Sequence, residues 1–97
     1  NLHRENPVQQ AKRMADLVGG VDDLMAKAQA KMKSGDELGA AQLAWHVTKL
    51  QPENADAYQL LGKALAIIAE RTFNAPARNY TFSSSNRYLK KAAQLRE

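Results

Sequence analysis

Ninety-seven residues without a cysteine suit one domain, and they rule out disulfide staples, thiolate zinc sites and thiol nucleophiles together. Hydrophobic residues make up 44% of the chain, enough for a packed core, while no run approaches the roughly 20 apolar residues of a membrane-spanning helix. The net charge of +4 is uneven: residues 1–70 hold 8 Lys and Arg against 9 Asp and Glu, whereas 71–97 hold 6 against Glu97 alone, so any electrostatic function lies in the last third.

The chain starts at Asn1 with no initiator methionine and no basic-then-apolar leader, so it reads as a piece of a longer polypeptide whose compartment stays open, a periplasmic or secreted parent included. Pro7 opens a first predicted helix, in which Val8, Ala11, Met14, Ala15 and Val18 recur at three and four residues and form one apolar stripe. Gly19 and Gly20 stop it. A second helix begins at Val21, with Asp22 and Asp23 set against the positive end of its dipole, and buries Val21, Leu24, Met25, Ala28 and Met32 before Ser34 and Gly35. Asp36 caps a third, whose face is Ala40, Leu43, Ala44, Val47 and Leu50 and whose end is marked by Pro52.

Asn54 caps a fourth helix that is unlike the others. From 57 to 69 its only charge is Lys63, with Tyr58, Leu61, Leu65 and Ile68 on one side and Leu60, Ala64 and Ile67 on the other. A helix apolar around most of its girth is buried on more than one side. The expectation is that Tyr58, Leu61 and Leu65 pack within the chain and that Leu60, Ala64 and Ile67 form a dimer interface. Beyond it, Asn74-Ala75-Pro76 and then Ser83-Ser84-Ser85 interrupt the pattern, predicting one helix from about Ala75 to about Phe82 and a last one from about Ser85, with Tyr88, Leu89, Ala92 and Leu95 inward. The alternative is a single helix that runs through the serines.

A repeat ties these elements together. Leu24 answers Tyr58 and Ala28 answers Gly62 at a spacing of 34 residues, the period of tetratricopeptide-like helix pairs. Small residues at Ala28, Ala40 and Gly62 let paired helices approach closely. The fold expected is all-α, about five helices in such pairs, with Leu24, Ala28, Ala40, Tyr58, Leu61, Gly62 and Leu65 at the packing positions.

In order and spacing, Leu2-His3, the run Asn6-Pro7-Val8-Gln9-Gln10-Ala11-Lys12-Arg13, Gly19-Gly20-Val21-Asp22, Ala26-Lys27-Ala28, Gly35-Asp36 and Ala40-Ala41 resemble the dimerisation domain of the alkyl sulfatases. The likeness continues through His46-Val47, Pro52-Glu53-Asn54, Leu60-Leu61, Ala64-Leu65 and the run from Ala75 through Pro76, Ala77, Arg78 and Asn79 to Tyr80. Trp45 and Ala77 depart from it, standing where that family usually has Asn and Trp. The resemblance implies a homodimer-forming connector in a hydrolase. Its neighbours would be a metallo-β-lactamase-type domain, which holds two zinc ions and cleaves alkyl sulfate esters, and a sterol-carrier-like domain. It implies no cofactor in this chain. The other readings of the residues are a free-standing tetratricopeptide-like module that binds a peptide or protein and, more remotely, a nucleic-acid binder.

Candidate site residues are few. His3 and His46 are far apart, with neither an H-x-H nor an H-E-x-x-H spacing, so a metal site within the chain is not expected. His46 is a candidate proton donor or sulfate-orienting group toward a neighbouring active site, set against the plainer role of a histidine satisfied in its own domain or interface. Arg78 and Asn79 suit anion or carbonyl recognition, but a structural tie between the fifth helix and nearby loops is preferred. Asn79-Tyr80-Thr81 is a formal glycosylation triplet of a kind common by chance. Arg71, Arg78, Arg87, Lys90, Lys91 and Arg96 read as a solvated face rather than a nucleic-acid surface.

Overall fold

The computed structural model describes residues 6–97 as five helices: α1 (Pro7–Val18), α2 (Val21–Lys33), α3 (Glu37–Leu50), α4 (Ala55–Glu70) and α5 (Ala75–Leu95). Among the described residues there is no strand. Leu2 and His3 lie outside the described residues.

Local chemistry sets each boundary. Asn6 accepts the N–H of Gln9 at 2.8 Å, while the Gln9 side chain accepts the N–H of Asn6 at 3.0 Å, a reciprocal cap that satisfies two of the donors orphaned at a helix start. Asp36, Asn54 and Asn74 cap α3, α4 and α5 in the same sense, accepting from Gly39, Ala57 and Ala77. The bond from Gly39, with Lys31 nearby, holds the Asp36 carboxyl below its ordinary pKa. Gly19 closes α1 at φ 105°, a backbone conformation that a side chain would strain.

Consecutive helices pack side by side, and α3 is the hub, meeting α1, α2 and α4. The core is made of small residues. One cluster joins Ala28 of α2, Ala40, Ala41 and Ala44 of α3, and Leu61 and Ala64 of α4; a second joins Ala15, Leu24, Val47 and Ala57. Alanine in the seams brings backbones close and pushes the larger side chains outward to a half-buried shell that includes Leu43, Trp45, Leu60 and Leu65. Among the described residues the largest fully buried side chains are just Leu24, Val47 and Ser85. Much apolar surface therefore stays at the perimeter.

Two expectations are corrected. The last third is one helix, not two: α5 runs through Ser83, Ser84 and Ser85. Serine is tolerated there because its small side chain lets α5 approach α4 and its hydroxyl finds a partner, Ser85 Oγ donating to the carbonyl of Gly62 at 2.7 Å. A Cβ on Gly62 would lie 2.7 Å from Leu89 and 3.1 Å from the Ser85 carbonyl oxygen, so the contact requires glycine. The second correction concerns α4. α4 is apolar on two sides because α3 covers one and α5 the other, the α4–α5 contact being the most extensive in the molecule. Ala64, assigned above to an outward interface, has no exposure and sits in the alanine cluster; Leu60 and Ile67 remain half-buried at its flank.

Candidate functional site

The packing positions divide by depth. Leu24, Ala28, Ala40, Leu61 and Gly62 are buried, whereas Tyr58 and Leu65 are half-buried. Tyr58 stacks on Tyr88 of α5 with ring centroids 6.2 Å apart, and burial, with Tyr88 and Glu53 beside it, raises its phenol above the usual pKa. Ala28 and Gly62, one repeat apart, thus serve equivalent seams, the first with α3 and the second with α5.

His46 lies on the side of α3 that faces α1. Its ring meets Trp45 edge-on at 5.4 Å, and Lys49 lies 4.8 Å above the Trp45 ring. Burial holds the imidazole below its ordinary pKa of 6.5, favouring the neutral form. Its Nδ1 is buried and has no hydrogen-bond partner. Such a nitrogen is costly to leave alone.

Beside His46 the surface is hollow. A depression of about 450 Å³ is lined by Met14, Leu38, Leu43, Trp45, His46 and Leu65, and is mostly apolar. A second, of about 280 Å³, is lined by Gln10, Arg13 and Leu17 and shares Met14 and His46 with the first. The two make one groove between α1 and α3. Leu38 and Leu17 stand on its rims, 61% and 76% exposed. A third hollow, between α2 and α4, is more polar, with Gln29, Asp56, Gln59 and Lys63 beside Met25 and Leu60. There Asp56 is already paired with Arg96.

Pro76, Arg78 and Asn79 occupy the first turns of α5, Arg78 half-buried and the other two exposed. Among the described residues neither Arg78 nor Asn79 forms a side-chain hydrogen bond, so the expected tie to the surrounding loops is absent. The buried residues of α5 are Ser84 and Ser85 at its middle and Ala92 near its end. Phe73, wholly exposed, and Tyr80, 73% exposed, flank the first half.

Among the described residues no group of three or more His, Cys, Asp and Glu is placed to hold a metal ion, and no helix is long and apolar enough to cross a membrane. Sequence reasoning found His46 but missed the groove beside it. The available signal was the set Met14, Leu38, Trp45 and Leu65, apolar residues on three helices that no single-helix pattern groups.

These features define an all-α module of paired helices. The chain belongs to the alkyl sulfatase dimerisation family, whose model matches residues 1–97. It is 34% identical over 79 residues to an (R)-specific secondary-alkylsulfatase of Pseudomonas, a match covering 81% of this chain and 12% of that protein. It is 30% identical over 90 residues to a linear primary-alkylsulfatase of Pseudomonas, covering 93% of this chain and again 12% of the relative. No solved structure matches it.

Proposed function

We propose that this chain is the dimer-forming connector of a longer alkyl sulfatase, which hydrolyses alkyl sulfate esters to alcohol and sulfate on a zinc-bearing domain outside residues 1–97. The observation that carries the reading is the family match along the whole chain, in a domain that spans only 12% of each alkylsulfatase relative. The residues present do not fit zinc, since no acidic or histidine cluster converges among those described, so no step of hydrolysis is assigned to them. Their work is to hold two copies together and to carry contacts to the catalytic and sterol-carrier-like domains. Pro76, Arg78 and Asn79, exposed or half-exposed at the start of α5, suit the second task.

The test uses the purified 97-residue chain. Sedimentation equilibrium should give the mass of a dimer, and incubation with dodecyl sulfate and added zinc should release no sulfate. A monomer at all concentrations, or measurable hydrolysis, overturns the reading.

A further inference from the structure

We infer that the groove between α1 and α3 is the surface on which a second copy of this chain docks, each copy seating rim leucines in the hollow of the other. The inference rests on the dimer-forming reading above and adds the face. Contact across a twofold axis is isologous, so the same patch must carry both a ridge and a hollow. Here it does: Leu17 and Leu38 project beside a depression floored by Met14, Trp45 and Leu65. Apart from Arg13, the polar side chains lining the groove are His46 and the neutral amides Gln10 and Gln42. Depletion of charge around an apolar centre is the composition of an interface core.

Other surfaces fit a second copy less well. α4 has spent its apolar flanks on α3 and α5, and the hollow beside α2 is lined by Asp56, Lys63 and two glutamines. Phe73 and Tyr80 are exposed but line none of the hollows described above. Among the described residues, the one buried side-chain polar atom without a partner, Nδ1 of His46, belongs to a residue that lines this groove.

Leu17 and Leu38 make the test clean, because each is mostly exposed in the single chain and can be changed without disturbing the core. Leu38→Glu and Leu17→Glu, measured by sedimentation equilibrium beside the parent chain, should each weaken self-association roughly tenfold or more, with helical circular dichroism unchanged. Ile67→Glu and Phe73→Glu should remain as dimeric as the parent. If the parent is a dimer and both leucine variants associate as tightly as it does, or if Ile67→Glu or Phe73→Glu is the variant that dissociates, the face is wrong and the dimer-forming reading stands. A parent that is monomeric at every concentration overturns both, leaving the groove to another part of a longer protein.

Discussion

α4 and the α1–α3 face carry apolar residues to opposite ends. α4 is apolar around most of its girth and is covered within the chain, between α3 and α5. α1 and α3 each show an ordinary one-sided stripe, yet the seam between them is left open, with Leu17 and Leu38 in solvent. The difference is one of supply. α5 is a single 21-residue helix and covers the length of α4, whereas nothing described packs over the groove where α1 meets α3. How apolar a helix is does not say whether its surface is spare; what remains to cover it does.

The comparison breaks first if α4 is not the internal element it is here. Leu61 is buried in the alanine cluster, so Leu61→Glu should cost more than about 3 kcal/mol by placing an unpaired charge there. Against a typical domain stability of about 5–15 kcal/mol, that leaves a largely unfolded or barely folded chain, read as loss of the cooperative thermal transition. Gly62→Ala tests the α4–α5 seam more finely. The gain in helix propensity is smaller than the overpacking against Leu89 and the Ser85 carbonyl, so stability should fall by about 1–2 kcal/mol in urea titration. An unchanged midpoint would mean that α5 does not lie on α4 at that distance.

Asn54→Ala removes the bond from the Ala57 N–H, and with it the side-chain bond to Gln51, and should cost about 1 kcal/mol. The groove side responds to pH instead. Burial places the folded pKa of His46 below its unfolded value near 6.5, so the unfolded chain binds more protons in the window just beneath that value. The His46 contribution to stability should therefore be flat above about pH 7, fall as pH drops through 6.5, and level off once the folded imidazole is also charged. His46→Gln removes this component, so the difference between the two urea midpoints plotted against pH isolates it from His3. The smallest effect belongs to the solvent side of α4, where Lys63→Ala should change stability by no more than about 0.5 kcal/mol.

Most of the fold was legible in local signals. Pro7, Asp36 and Asn54 mark helix starts, Gly19-Gly20 and Pro52 mark ends, and Ala28 and Gly62 stand one repeat apart because each serves a close seam. What escaped was non-local. Ser83, Ser84 and Ser85 look like a break until Gly62, 23 positions before Ser85, offers its carbonyl to that hydroxyl. Ala64 looks outward until the alanines of α2 and α3 are seen to close on it. The groove escaped for the same reason, since Met14, Leu38, Trp45 and Leu65 come from three helices and their meeting is a property of the packing.

Trp45 provides the most direct test, being the chain's single tryptophan and part of the groove floor. Its emission should be followed as the chain is diluted from a concentration at which sedimentation gives the dimer mass. The account predicts a red shift that tracks dissociation, with helical circular dichroism constant, because Trp45 passes from a dry contact to water. Emission that stays fixed while the mass halves would contradict it and place the contact between copies elsewhere on the molecule.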